Sequence, residues 1–125
     1  MRISNVGMFV TDLDGARDFF IRYFGAQVHA TYEEDDGYRS YNMKFDEGPK
    51  IELMAKPAVV DEKKNRNRTG FIHICIKVDS REKLDEIIAG FKADGYEILY
   101  EPVAPGDKEV RAITFEDNIL EVCGP

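Results

Sequence analysis

Four polar residues occupy strand-like segments that are otherwise apolar, and their chemistry is typical of metal ligands. They are Asn5 in SNVGMFV, Glu52 in KIELM, His73 in FIHICIKV and Glu121 in ILEVC. Because side chains alternate along a strand, each of the four is expected on the face opposite its apolar neighbours. An amide oxygen, an imidazole and two carboxylates form a donor set that suits a divalent ion such as Zn, Ni, Co, Mn or Fe.

The two carboxylates point to a bound cation in particular. In one partly dry site, Glu52 and Glu121 would repel each other and raise each other's pKa unless a positive ion lay between them. The sequence leaves three arrangements open for Asn5: direct ligation, a bound water, or a site with only three protein ligands. An Asn side chain is one methylene shorter than Gln, which changes its reach by about 1.5 Å.

These four positions recur in an internal repeat. Asn5 and His73 are 68 residues apart, and Glu52 and Glu121 are 69 residues apart. One such residue alone would be interpreted as part of a solvent-exposed strand face, but two pairs at equivalent positions favour a shared site. Each half of the chain is predicted to form a strand, a helix and three further strands, over residues 1–56 and 70–125.

Both predicted helices carry signals for their ends. The segment TDLDGARDFFIRYFG begins with Thr11 or Asp12 as N-cap, and DSREKLDEIIAGFKADG begins with Asp79, which is spaced from Glu82 as a capping box. Each segment ends in glycine, which is typical of a helix C-terminus. The second helix is expected to bury an apolar stripe formed by Leu84, Ile87, Ile88 and Phe91.

The element order predicts an α+β fold of two βαβββ modules. Two equivalent modules that each bury one sheet face are expected to pair about a pseudo-twofold axis. They would form one curved mixed sheet, a cup around the four polar residues, and residues 1–125 would be a single domain. The polar segment KPAVVDEKKNRNRTG is expected to be the exposed connection between them. A homodimer is predicted.

Composition excludes several classes of function. The formal net charge of −7 and the pI near 4.8 argue against nucleic acid and anionic membranes as partners. No apolar run approaches the roughly 20 residues of a membrane span, and the N-terminus lacks the pattern of a signal peptide. Cys75 and Cys123 lie within strand patterns and not in loops, so a cytoplasmic location is predicted.

Five segments carry a family resemblance: NVGMFVTDLDGARDFFIRYFGAQV, YRSYNMKF, IELM, TGFIHICIKV and ILEV. In them the chain resembles the vicinal oxygen chelate superfamily, which includes glyoxalase I, bleomycin-resistance proteins and extradiol dioxygenases. The resemblance to glyoxalase I-like members implies metal ligands in the order His or Gln, Glu, His, Glu. These positions fall on Asn5, Glu52, His73 and Glu121, of which only Asn5 departs from the pattern.

The resemblance also implies an activity. Glyoxalase I-like members are metal-dependent lyases or isomerases that move a proton on a small α-oxo or hemithioacetal substrate. It makes Glu121 the shuttling base and Glu52 a ligand and second base. Two departures argue against strict glutathione dependence: FEDNILEV lacks the Pro-Asp-Gly portion typical of members, and Phe9 stands where members often have Arg.

Two other functions are compatible with the resemblance. Drug-binding members use the same fold without metal, but unneutralised buried carboxylates at Glu52 and Glu121 argue against that class. An Fe(II) dioxygenase needs two His and one carboxylate, and only His73 is suitably placed. His29 is expected at the rim of the cup, and Cys75 and Cys123 are interpreted as small buried hydrophobes.

Other residues remain ambiguous in the sequence. In YRSYNM, Arg39 and Tyr41 lie on one strand face and Ser40 and Asn42 on the other, and either pair could face the cup. The cationic residues near the junction of the modules are interpreted as a solvated surface rather than an anion site. They are Lys56, Arg66 and Arg68.

Overall fold

Each half of the chain forms one four-stranded mixed sheet with a helix packed on one face. The computed structural model describes residues 1–125 and divides them into two units, residues 1–61 and 62–125. Within each unit, a strand and a helix are followed by three more strands. The predicted α+β class and the two βαβββ modules are therefore confirmed.

The first unit has the sheet order β1-β4-β3-β2. Its elements are β1 (Asn5–Phe9), α1 (Leu13–Phe24), β2 (Gln27–Glu33), β3 (Arg39–Lys44) and β4 (Lys50–Ala55). Strand β1 is parallel to β4, and the other two pairings are antiparallel. The parallel pairing is possible because the helix and two strands lie between β1 and β4 in the sequence.

The second unit repeats this topology with the sheet order β5-β8-β7-β6. Its elements are β5 (His73–Lys77), α2 (Arg81–Ala93), β6 (Glu97–Tyr100), β7 (Glu109–Ile113) and β8 (Ile119–Cys123). A tight turn at Phe115–Asp117 joins β7 to β8. Strand β5 is parallel to β8, as β1 is to β4. Neither α1 nor α2 combines the length and apolarity that a membrane-crossing helix requires.

The core of each unit lies between its helix and its sheet. In the first unit, Phe20 of α1 is fully buried together with Met43 and Leu53 of the sheet. In the second unit, the buried residues of α2 are the four in the predicted stripe, and Val110 and Val122 of the sheet are also fully buried. Burial of these apolar faces orients the polar residues of β4 and β8 toward the opposite sheet face.

The helix N-termini differ from the prediction in one case. The cap of α1 is Asp12, whose side chain accepts a hydrogen bond from the amide of Gly15 at 2.9 Å. The cap of α2 is Ser80, whose Oγ accepts from the amide of Lys83 at 3.1 Å. The predicted capping box starting at Asp79 is therefore wrong by one residue, because both Asp and Ser are good caps and spacing alone did not separate them.

The corrected cap predicts different effects for two neighbouring alanine substitutions. Ser80→Ala is expected to lower the free energy of unfolding by about 1 kcal/mol, since it leaves a helix amide without its acceptor. Asp79→Ala is the matched control and is expected to change it by less than about 0.5 kcal/mol. Urea denaturation followed by circular dichroism measures both, and a larger loss in Asp79→Ala would contradict the assigned cap.

The connection before β5 is fastened to the turn that precedes β8. Arg66 donates from Nη2 to the carbonyl oxygen and to Oδ1 of Asp117, both at 2.7 Å, and the amide of Lys64 donates to Oδ2 of the same residue. Glu116 and Asp117 both have positive φ, 48° and 58°, a conformation that non-glycine residues rarely adopt. Arg66 thus stabilises a strained turn through a partly buried ion pair, which corrects its interpretation as part of a solvated surface.

Candidate functional site

The first pair of predicted ligands is held by the parallel strands β1 and β4. Ile51 and Leu53 are buried on the helix side of β4, so Glu52 lies on the opposite face, as predicted. Gly7 is the direct neighbour of Glu52 in β1, and Asn5 lies two residues before it on the same face. The Asn5 side chain donates from Nδ2 to Oε2 of Glu52 at 3.0 Å.

Two residues of the first unit extend this pair. The hydroxyl of Tyr38 donates to Oε1 of Glu52 at 3.4 Å, so each carboxylate oxygen of Glu52 has a hydrogen-bond donor. Asn42 is the direct neighbour of Glu52 in β3, and its Oδ1 is buried without a hydrogen-bond partner. Buried acceptors normally accept a hydrogen bond. A bound cation, or a water molecule bound to that cation, would give Asn42 Oδ1 a partner.

The second pair is held by the parallel strands β5 and β8. Leu120 and Val122 are buried on the helix side, which leaves Glu121 on the face that also carries His73. The His73 Nε2 and Glu121 Oε2 atoms are 3.6 Å apart. The Glu121 side chain is 11% exposed and the His73 side chain 30%, so the pair lies in a partly dry environment.

A guanidinium group that the sequence analysis did not consider also binds Glu121. Arg111 is the direct neighbour of Glu121 in β7, and its Nε and Nη2 donate to Glu121 Oε2 at 3.1 and 2.8 Å. The signal was present in EVRAITF, where Val110 and Ala112 are the buried positions and Arg111 therefore lies on the Glu121 face. One oxygen of Glu121 is thus shared by Arg111 and His73.

The ion pair shifts the titration of its members. The hydrogen bond from Arg111 is the main reason why the pKa of Glu121 lies below its ordinary value of 4.5, with smaller contributions from Cys75 and His73, although partial burial opposes the shift. The same hydrogen bond raises the pKa of Arg111. Both groups are therefore charged at neutral pH.

The two cysteines lie beside this ion pair. The sulfur atoms of Cys75 and Cys123 are 3.7 Å apart, and neither residue forms a disulfide. Desolvation, followed by hydrogen bonds with Cys123 and Glu121, raises the pKa of Cys75 to about 12, so this thiol stays protonated at neutral pH. Cys75 is exposed and Cys123 partly exposed, which corrects the interpretation of both as small buried hydrophobes.

The distances between the potential ligand atoms of each pair suit a divalent ion. Adjacent ligands of an octahedral ion with bonds of roughly 2.1 Å lie about 3 Å apart. The Asn5–Glu52 separation of 3.0 Å matches that value once the amide is turned to present its oxygen, and the 3.6 Å between His73 and Glu121 is close to it. No group of three or more His, Cys, Asp or Glu side chains converges in the structure, so each unit presents a partial donor set.

The remaining candidates are placed as follows. Tyr41 lies on the helix side, where its hydroxyl donates to Oδ1 of Asp14 in α1 at 2.7 Å and accepts from Arg39. Ser40 and Asn42 therefore share the face of Glu52. His29 is exposed, at an irregularity in the β2–β3 pairing.

A lysine side chain lies over Phe9, at the position where the resemblance leads one to expect an arginine. The ammonium group of Lys56 lies 5.2 Å from the centre of the Phe9 ring, within the range of a cation–π interaction. Phe9 has the same strand parity as Asn5 and Gly7, so a positive charge is present on the ligand face of the first unit.

The fold and the matched family define the class of protein. The family described as Glyoxalase/Bleomycin resistance protein/Dioxygenase superfamily matches residues 5–115. The chain belongs to this superfamily. A comparison with curated proteins found no match.

Solved structures support the same fold at low sequence identity. The trypanothione-dependent glyoxalase I of Leishmania major is 19% identical, with a TM-score of 0.81, over 99% of this chain and 86% of that one. A glyoxylase/bleomycin resistance protein/dioxygenase domain from Frankia sp. EAN1pec is 17% identical, with a TM-score of 0.82, over 99% and 91%. The fosfomycin resistance protein FosX of Listeria monocytogenes, complexed with Mn(II) and sulfate, is 20% identical, with a TM-score of 0.71, over 98% and 91%.

Proposed function

We propose that this chain is a metal-dependent lyase or isomerase of the glyoxalase I type, acting on a small α-oxo or hemithioacetal substrate. Its metal ligands would be Asn5, Glu52, His73 and Glu121. One observation carries the proposal: two equivalent βαβββ units place a donor pair on equivalent strands, with separations of 3.0 and 3.6 Å. Glyoxalase I from Leishmania major and FosX with Mn(II), both of this fold, support a metal-dependent enzyme.

The proposed chemistry is proton transfer. When bound, a divalent ion polarises a substrate oxygen and makes the neighbouring C–H proton more acidic. Glu121 is the proposed base, because its lowered pKa keeps it ionised and ready to accept a proton at neutral pH. The same low pKa limits its strength as a base. Glu52, held by Asn5 and Tyr38, is the proposed ligand and second base.

The remaining parts of the proposal concern the ion, the assembly and the location. The donor types are compatible with Zn, Ni, Co, Mn or Fe, and the Mn(II) in the FosX complex supports including Mn. We also propose a homodimer in the cytoplasm. The two unpaired thiols at 3.7 Å are consistent with a reducing compartment.

A second candidate is a metal-free small-molecule binding protein, and the Arg111 ion pair favours it. Burial of Glu52 and Glu121 without neutralisation would count against this class. In the structure, Arg111 neutralises Glu121, and Glu52 accepts hydrogen bonds from Asn5 and Tyr38. Neither carboxylate requires an ion to offset its burial, so the presence of metal must be measured directly.

The decisive experiment is metal analysis of the full chain purified without added metal, followed by thermal melting with Ni, Zn, Co and Mn. We expect one divalent ion per chain and a rise of several degrees in Tm. The Glu52→Gln variant should lose the bound ion and the rise in Tm. The Glu97→Gln variant, on the exposed strand β6, should keep both the ion and the rise in Tm. Absence of metal and of any Tm shift in the unmodified chain would reject the enzyme and favour the binding protein.

If metal is present, isomerisation of the methylglyoxal–glutathione hemithioacetal is assayed next. Turnover that depends on the ion would support the glyoxalase I type. A metal-loaded protein that leaves this substrate unchanged would show that the substrate class is wrong while the metal site is correct.

A further inference from the structure

The geometry points to Arg111 as a built-in competitor for the metal ion at Glu121. We infer that its guanidinium moves from Glu121 to Glu109 when a divalent ion binds. This inference rests on the proposed function, because it concerns the ion that Glu121 would ligate. Arg111 would then set the affinity for the metal ion, although it is not one of the four proposed ligands.

The competition follows from the atoms that meet at Glu121. Arg111 directs two N–H groups at a single oxygen, Oε2, with distances of 3.1 and 2.8 Å. The same oxygen is the one nearest His73 Nε2, at 3.6 Å. An ion held jointly by His73 and Glu121 would therefore contact the oxygen that the guanidinium already occupies. Two cations in this partly dry environment also repel each other strongly.

The structure offers the guanidinium a second partner. Glu109 lies two residues before Arg111 on the same face of β7, and its Oε1 is 3.7 Å from Arg111 Nη2. The Glu109 side chain is 40% exposed, compared with 11% for Glu121. A small rotation of the Arg111 side chain would thus move its guanidinium group to a more solvated carboxylate. That movement frees the oxygen of Glu121 and keeps the guanidinium paired.

This arrangement predicts opposite effects for two substitutions. Arg111→Met removes the competing charge and keeps an unbranched side chain of similar length, so the Kd for Co or Zn should fall at least roughly tenfold, as expected for a lost charged hydrogen bond. Glu109→Gln removes the alternative charged partner, so the Kd should rise by roughly threefold. A purely structural role for Arg111 predicts no gain in affinity for Arg111→Met.

The test is isothermal titration of the metal-free full chain and its variants with CoCl2 and ZnCl2, combined with Co(II) absorption spectra. Arg111→Gln is the second variant in case Arg111→Met fails to fold, and circular dichroism establishes folding for each. Glu97→Gln is the matched control and should bind with an unchanged Kd.

The outcomes separate the two proposals. If the unmodified chain binds metal and neither Arg111 variant binds more tightly, this inference is wrong and the proposed function stands. If neither the unmodified chain nor any folded variant binds metal, both are wrong. Tighter binding by Arg111→Met or Arg111→Gln, together with weaker binding by Glu109→Gln, would support the competition.

Discussion

Under the proposed function, replacing Glu121 with Gln is expected to remove the divalent ion and to lower kcat on the hemithioacetal by at least about 10²-fold, because both the ion and the general base are lost. The substitution preserves shape but removes the negative charge. In the unmodified chain, Arg111 Nη2 lies 2.8 Å from Glu121 Oε2. An amide oxygen at that position can still accept this hydrogen bond, so the variant should fold. The measurements are metal content by elemental analysis, kcat by the absorbance of the thioester product, and Tm by circular dichroism.

The control for this variant is Glu97→Gln, which makes the same chemical change at an exposed position of the same unit. It should keep metal content, kcat and Tm within error. Normal turnover by Glu121→Gln would show that Glu121 is not the base. A lower Tm of Glu121→Gln with unchanged metal content would mean that this carboxylate stabilises the fold and does not bind the ion.

Replacing Phe91 with Ala is expected to lower the free energy of unfolding by about 3–5 kcal/mol, the range observed for fully buried aromatic residues. Phe91 is 0% exposed, and its ring makes an edge-to-face contact with Tyr96, with centroids 5.7 Å apart. Truncation removes this contact and leaves a cavity between α2 and its sheet. Because small domains are only marginally stable, a loss of this size should be visible as a large drop in Tm.

Phe71→Ala is the matched control, because this phenylalanine belongs to the same unit but is fully exposed, at 104%. It should change the free energy of unfolding by less than about 0.5 kcal/mol. Urea denaturation at constant pH compares the two variants. Equal effects of the two substitutions would contradict the assigned position of Phe91 in the core.

Strand alternation predicted the orientation of the two carboxylates best on the inner strands. On β4 and β8, one face is covered by a helix, so the buried positions at Ile51 and Leu120 oriented Glu52 and Glu121 correctly. The same rule was less complete on β1 and β5, which lie at sheet edges. There Val6 of β1 and Ile72, which directly precedes β5, have the parity of the helix-facing residues but are 36% and 47% exposed, because alternation gives the face of a side chain and not whether that face is covered at a sheet edge.

Arg111 shows what the sequence could not provide. Its strand face could be predicted from alternation, but its distance to Glu121 depends on the pairing register of β7 and β8. That register is set by the turn at residues 114–118, where the amide and the hydroxyl of Thr114 both donate to the carbonyl oxygen of Asn118 and Glu116 and Asp117 have positive φ. No residue type in FEDN requires this conformation, so the contact became visible only in three dimensions.

The topological equivalence of the two units does not make their carboxylates equivalent. Glu52 is held by an amide and a phenol, which are neutral, whereas Glu121 is held by a guanidinium. Pseudosymmetry of the backbone thus coexists with electrostatic asymmetry. The repeat therefore supplies an internal comparison, since the carboxylate position accepts hydrogen bonds from neutral groups in one unit and from a guanidinium in the other. A substitution result obtained at one position therefore cannot be transferred to the other, because the two carboxylates have different partners.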